Sequence, residues 1–196
     1  MHSKQEVREY VWKKIEPFST FPPPYGRIPN FTGADRACEK LRSLKEYRKA
    51  TAVFCAPDSP LRRAREVALE DGKTLIVAKP HLKGFLKLRG KFKATIKEML
   101  RHGVDVRLEE LDSPIGVFIQ GCVAIDKKGN RIGKGSGYGD REYAILREEG
   151  LLADDCIYVV VAHPVQIFDD LSHLIKEHDV KADVILTPDR IIYAKA

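Results

Sequence analysis

Cysteine is scarce and scattered: Cys38, Cys55, Cys122 and Cys156 are the only four in 196 residues, and no two form a Cys-x-x-Cys pair. That spacing signals neither a disulfide framework nor a thiolate zinc site, and the four read as reduced core residues. Long apolar runs are missing as well. None approaches the roughly 18 to 20 residues that a membrane-spanning helix requires, and the first residues contain no apolar signal segment. These absences predict a cytoplasmic protein without a membrane role. No internal repeat or low-complexity tract is visible, and 196 residues suffice for one domain, 1–196, that buries a core without disulfide or metal support. Acids are outnumbered. The 34 Lys and Arg against 28 Asp and Glu leave a net charge of +6, which favours an anionic partner such as a nucleotide, a polyanionic substrate or nucleic acid.

Glycine, by contrast, is concentrated. Five of the 14 glycines (Gly129, Gly133, Gly135, Gly137, Gly139) fall within eleven residues. Glycine at every second position lets the backbone turn through positive φ and expose successive N–H groups, Arg131 and Lys134 add cations, and Asp140 is a candidate Mg²⁺ ligand. The segment therefore reads as a phosphate loop, placed between the apolar run Ile115–Ile125 and a helix predicted over Glu142–Glu149, where anions bind. The spacing matches neither the dinucleotide fingerprint G-x-G-x-x-G nor the triphosphatase loop, which has four residues before its Gly-Lys pair. A glycine-rich surface turn with incidental charges is the alternative reading.

Around this loop the pattern is that of alternating strands and helices. Ser3-x-x-Glu6 is a capping box opening a helix to about Glu16, with Val7, Val11 and Ile15 as its buried stripe and Lys4 and Arg8 one turn apart on another face. Phe18–Phe31 carries five prolines if Pro17 is counted with it, so it is expected to wrap the domain rather than form a helix. Tyr25, Arg27 and Phe31 are either pocket residues or part of an aromatic-proline segment glued to the core. Thr32–Lys49 predicts a helix with Ala37, Leu41 and Leu44 inward. Strand Thr51–Ala56, helix Pro60–Glu70 and strand Lys73–Ala78 make a βαβ unit. Further strands are predicted near Val104–Leu108, Ile115–Ile125 and Cys156–Ala162, and a final pair at Ala182–Thr187 and Arg190–Ala194. Uninterrupted runs such as Tyr158–Ala162 argue for an α/β fold with a mainly parallel sheet covered by helices on both faces, a three-layer α/β/α arrangement. Lys83–Arg101 holds seven basic residues and one acid, read either as an RNA or acidic-tail site or as a loop and amphipathic helix with a basic exposed side. His163, His173 and His178 with the acids Asp169, Asp170 and Asp179 have no metal-ligand spacing and read as surface residues.

The stretch Asp126-x-x-Gly129-x-Arg131-x-Gly133-x-Gly135-x-Gly137-Tyr138-x-Asp140 resembles the nucleotide loop of 5-formyltetrahydrofolate cyclo-ligases. Gly133-Lys134-Gly135-x-Gly137-Tyr138 followed by Asp140-x-Glu142-Tyr143-Ala144 is similar to the branch called methenyltetrahydrofolate synthase domain-containing proteins. The resemblance runs weakly over nearly the whole chain. It implies ATP- and Mg²⁺-dependent closure of 5-formyltetrahydrofolate, a reduced folate, to 5,10-methenyltetrahydrofolate through a phosphorylated formyl group. It also implies roles: Lys4 and Arg8 reach the ATP phosphates with Arg131, Lys134 and the loop Gly133, Gly135, Ser136, Gly137 and Tyr138. Arg131 and Lys134 carry the catalysis, Asp140 holds Mg²⁺, Asp58 and Tyr138 meet the pterin, and Asp183 and Thr187 face the site from the closing pattern His178-Asp179-x-x-x-Asp183-x-x-x-Thr187-Pro188. The chain departs from the family wording at Gly121-Cys122, where Pro-Gly or Pro-Leu is usual, and at Gly139, where a second Tyr is usual. The nucleotide half is thus matched more fully than the folate half. The alternative is a non-catalytic relative that binds nucleotide, or RNA through the basic stretch.

Overall fold

The computed structural model describes residues 1–176 and 179–195. In chain order the helices and strands are α1 (Lys4–Ile15), α2 (Ala34–Glu39), α3 (Lys45–Lys49), β1 (Ala52–Cys55), α4 (Arg62–Glu70), β2 (Thr74–Ala78), β3 (Phe85–Leu88), α5 (Ile96–His102), β4 (Val104–Val106) and β5 (Ile115–Gln120). They continue with β6 (Ala124–Asp126), β7 (Arg131–Ile132), α6 (Tyr138–Glu148), β8 (Leu152–Val161), β9 (Ile167–Phe168), β10 (Val184–Leu186) and β11 (Ile191–Tyr193). Eight strands form one sheet in the order β11-β10-β8-β5-β1-β2-β3-β4, and β7-β6-β9 form a second, small one. The five central strands of the large sheet, β10 to β2, are parallel, and antiparallel strands close both edges.

The α/β fold with a mainly parallel sheet is as the sequence predicts, and its two-sided burial is visible in the side-chain alternation. Val53, Val77, Val117, Ile119 and Val159 face the layer that includes α2, α4 and α5, while Phe54, Ile76, Phe118 and Val160 face α6 through Leu146 and Tyr143. Each fully buried side chain of this kind contributes roughly 1.5–3 kcal/mol. α1 covers the small sheet: Val7, Val11 and Trp12 pack with Val123, Ala124 and Ile132. Its N-cap is present, with Ser3 Oγ accepting from Glu6 N at 3.1 Å, but the expected capping box is only half made, because the Glu6 carboxylate accepts from His2 N at 3.3 Å and not from the N-cap N–H of Ser3.

Three elements differ from expectation. Thr32–Lys49 is not one helix: a 3₁₀ turn, Lys40–Ser43, and an extended Leu44 separate α2 from α3. Ala37, Leu41 and Leu44 are still buried, and the break lets both Arg42 and Tyr47 reach the Asp71 carboxylate, at 3.0 and 2.6 Å. The basic stretch contains β3, because Leu86 and Leu88 enter the core between Gly84 and Gly90 while Lys87 stays outside. Ile115–Ile125 divides at Gly121-Cys122 into β5 of the large sheet and β6 of the small one. A side chain at Gly121 would not fit there, since a Cβ would lie 2.5 Å from Ile28 Cγ2.

This topology positions the site. β1 lies between β2 and β5, and the chain runs from β1 to one side first and reaches the other later. The loops after these strands therefore diverge and leave a crevice at their carboxyl ends, the usual ligand position in an open α/β sheet.

Candidate active site

A cavity of about 510 Å³ occupies that crevice. Its walls are the residues after β1 (Ala56 to Ser59), those after β2 (Lys79 to Leu82), the end of β5 at Gln120, and the glycine loop with the first turn of α6. Lys4 and Arg8 of α1 and Arg27 and Ile28 of the proline-rich segment complete it.

The loop runs directly into α6, which begins at Tyr138, four residues earlier than its periodicity suggests. Gly135 (φ 110°) and Gly137 (φ 75°) occupy the left-handed region, which turns the chain into the helix without a side-chain cap. As a result the backbone N–H groups of residues 134 to 140 have no acceptor among the described residues. Unsatisfied N–H groups at the start of a helix form an anion site, reinforced by the helix dipole. Arg8 fixes the loop from α1, its Nε donating to Gly133 O at 2.7 Å. Arg131 is pinned underneath, with Nε donating to Gly121 O at 2.7 Å and Nη1 3.5 Å from the exposed Asp140 carboxylate. Lys4 and Lys134 make no hydrogen bond or ion pair among the described residues, so both cations are free to meet an anion.

The cavity floor is polar and buried. The Tyr158 hydroxyl donates to Gln120 Oε1, and Gln120 Nε2 donates to Gly139 O at 2.9 Å and to Glu142 Oε2 at 3.5 Å. A Cβ on residue 139 would lie 3.0 Å from Gln120 Nε2 and 3.1 Å from Arg131 Nη2, which accounts for glycine at this position. Burial pushes the Glu142 carboxyl up to about 7, the nearby Asp58 charge adds to the shift, and Arg131 opposes it. Asp58 is likewise raised by burial, against the pull of Lys134, Arg131 and Arg65. The buried Arg65 holds the Asp58 loop by donating to Ala56 O and Asp58 O, both at 2.9 Å, and ties it to Ala94 O at 3.0 Å.

Lys4, Arg8, Asp58, Arg131, Gly133, Lys134, Gly135, Ser136, Gly137, Tyr138 and Asp140 all line this one cavity. Asp183 and Thr187 do not. Asp183 Oδ2 accepts from Tyr158 N at 2.8 Å ahead of β10, and the Thr187 hydroxyl closes the turn to Arg190 with two bonds of 3.0 Å. In the proline-rich segment only Arg27 of the three residues considered lines the cavity. Tyr25 is exposed and bonded to Glu16, and Phe31 is buried. Of the basic stretch only Ile96 does so. His163 stacks on Phe18 and meets Phe31 edge-on, and His173 bonds Met1 O, while His178 lies outside the described residues. No group of three metal-ligating side chains occurs among the described residues, nor any helix long and apolar enough to cross a membrane. A Mg²⁺ bridging phosphates needs only one or two carboxylates and water, a donor set that Asp140 fits and a closed protein site would not.

Sequence reasoning missed Gln120, Glu142 and Arg65. Glu142 had a signal, since it shares an i, i+4 stripe with the buried Leu146. Arg65 had none, lying beside Arg62 and Arg63 in a run of cations.

Comparison with known proteins agrees with this geometry. The model of the 5-formyltetrahydrofolate cyclo-ligase family matches residues 2–188. Methenyltetrahydrofolate synthase domain-containing proteins of Bos taurus and Homo sapiens are 37% and 36% identical over 204 residues, covering 97% of this chain. The chain spans about half the length of these relatives, 53% in each case. The NMR structure of the Aquifex aeolicus 5,10-methenyltetrahydrofolate synthetase has the same fold, with a TM-score of 0.62 and 21% identity over 98% of this chain and 93% of that one. The Mycoplasma pneumoniae 5,10-methenyltetrahydrofolate synthetase does too, with a TM-score of 0.58 and 16% identity over 93% and 97%. The chain belongs to the 5-formyltetrahydrofolate cyclo-ligase family.

Proposed function

We propose that the cavity binds Mg-ATP beneath the glycine loop and a reduced folate on its floor, and closes 5-formyltetrahydrofolate to 5,10-methenyltetrahydrofolate. The observation that carries this reading is the run of unsatisfied N–H groups from residue 134 to 140, flanked by Lys4, Arg8, Arg131 and Lys134 and opening onto a floor that carries carboxylates. The folate formyl oxygen attacks the γ-phosphorus of ATP, ADP leaves, and the neighbouring folate nitrogen displaces phosphate from the formyl carbon with loss of its proton. Transfer of this kind depends on positioning and charge neutralisation more than on a strong base. Arg131, buried and fixed by Gly121 O, and the free Lys134 supply the positive charge at the transferred group. Arg8 and Lys4 hold the other phosphates from α1. Asp140 would hold the Mg²⁺, which when bound neutralises phosphate charge. Tyr138, wedged between His81 and the Arg141 guanidinium, forms a rigid wall for the folate ring, and Asp58 lies across from it on the floor.

Incubation with Mg-ATP and 5-formyltetrahydrofolate, followed by methenyltetrahydrofolate absorbance and phosphate release, tests the reading. Stoichiometric product and phosphate support it. Nucleotide binding without product would instead mark the chain as a nucleotide-binding relative that does not close folate.

A further inference from the structure

The proline-rich strap brings to the cavity a cation that the triphosphate does not require. Six cations line the cavity, Lys4, Arg8, Arg27, Lys79, Arg131 and Lys134, against three acids, Asp58, Asp140 and Glu142. Lys79 pairs with Asp105, which lies outside the lining, and Arg131 pairs with Asp140. Lys4, Arg8 and Lys134 join Arg131 around the glycine loop, where Arg8 bonds Gly133 O. The Arg27 side chain is exposed and makes no hydrogen bond or ion pair among the described residues. Its backbone, by contrast, is tied in three ways. The Arg27 N–H donates to Pro24 O at 3.1 Å across a turn that Gly26 completes at φ 73°. The Arg27 carbonyl accepts from Trp12 Nε1 at 2.9 Å, and the next residue, Ile28, is 6% exposed and borders Gly121 at the end of β5.

That placement sets Arg27 apart from the phosphate cations. Trp12 follows Arg8 by four residues on α1, so its partner Arg27 sits about one helical turn, roughly 5.4 Å, farther along the helix than Arg8. Ile28 and Pro60 both border Gly121, which puts the strap on the side of the loop after β1. Arg27 is therefore a cation fixed at the rim by its backbone, with its guanidinium left for a ligand. The guanidinium fork matches a carboxylate better than any other common anion except phosphate, and the phosphates already have their cations. A reduced folate carries its reacting ring at one end and a glutamate with two carboxylates at the other, so a ring held at the floor sends the carboxylates to the rim. We propose that Arg27 determines specificity for the acidic tail of the second substrate, a dicarboxylate of the glutamate type, by pairing with one of its carboxylates. The inference rests on the folate reading for the identity of that substrate.

Calorimetry on the wild type, Arg27→Gln and Arg27→Lys tests this with three ligands: 5-formyltetrahydrofolate, the same molecule with both glutamate carboxylates converted to amides, and Mg-ATP. Arg27→Gln is expected to weaken 5-formyltetrahydrofolate by about three- to tenfold, the range of a charge-assisted pair at an exposed rim, and Arg27→Lys to recover part of that loss. The diamide and Mg-ATP should each bind all three proteins within about twofold, and the wild-type preference for the acid over the diamide should shrink as salt is raised. In turnover the loss should appear as a raised KM with little change in kcat, because a tail contact is the same in the ground state and the transition state. Equal losses for the acid and the diamide overturn the proposal, since they mark a packing role. A loss confined to Mg-ATP overturns it as well and gives Arg27 to the triphosphate. Unchanged affinity for the acid in Arg27→Gln overturns the tail contact and leaves the folate reading standing. A wild type that binds neither the acid nor the diamide at millimolar concentration overturns both.

Discussion

Glu142→Gln makes a prediction about stability that needs no ligand. In the unfolded chain the Glu142 carboxyl ionises near 4.5, whereas in the folded protein burial beside Asp58 holds its proton up to about 7. Between those values the folded state binds a proton that the unfolded state has released, so stability falls as pH rises. The contribution is fully present below 4.5 and is lost as pH passes through about 7. A shift of that size corresponds to about 3 kcal/mol, and the side chain is buried enough that solvent screening does little to reduce it. Gln has nearly the same shape and no titration. The stability difference between Glu142→Gln and wild type should therefore move in favour of the variant by about 3 kcal/mol from pH 4.5 to pH 8, or roughly 6–12 °C in Tm for a domain of this size. Parallel urea or thermal denaturation of both proteins across this range measures it. Asp58 titrates in both proteins, so most of its effect cancels. A difference that stays flat with pH would show that Glu142 is not held in its neutral form and that the floor is wetter than its burial implies.

Three further outcomes test the roof of the cavity. Arg8→Ala and Lys134→Ala should each weaken Mg-ATP by about 1.5–3 kcal/mol in calorimetry, and two unchanged affinities would mean the cations of α1 and the loop do not share one triphosphate. Asp140→Asn should abolish the Mg²⁺ dependence of ATP affinity while leaving Tm nearly unchanged, because Gly137, not Asp140, is the N-cap of α6; a Mg²⁺ dependence equal to that of the wild type would remove the metal assignment. Gly139→Ala should lower stability by about 1–3 kcal/mol and weaken ATP, because its Cβ would crowd Gln120 at 3.0 Å and Arg131 at 3.1 Å, and wild-type denaturation and binding curves would contradict that packing.

What the sequence determined by itself was whatever depends on neighbours a few residues apart. The Ser3 N-cap and the Val7-Val11-Ile15 stripe set α1, because a helix brings i, i+3 and i+4 together. The run Tyr158–Ala162 set a strand buried on both faces, and alternate glycines set a loop that turns through positive φ. The family resemblance added Lys4 and Arg8 to that loop, and the fold brings them to one cavity with it. Periodicity, however, says which face of an element is apolar and not which polar groups will be enclosed with it. Arg8 meets Gly133 O across 125 residues of chain, and Gln120 meets Glu142 across 22, so the floor of the site exists only when α6 folds back over β5. Arg65 reads as a solvated cation until packing surrounds it with the carbonyls of Ala56, Asp58 and Ala94. Gly121 looks like part of one strand, and only the approach of Ile28 explains why the residue between β5 and β6 has no side chain. Burial and hydrogen-bond completion are long-range properties, and in this protein they decide the chemistry of the floor and bring α1 to the roof, while local pattern decides the glycine loop itself.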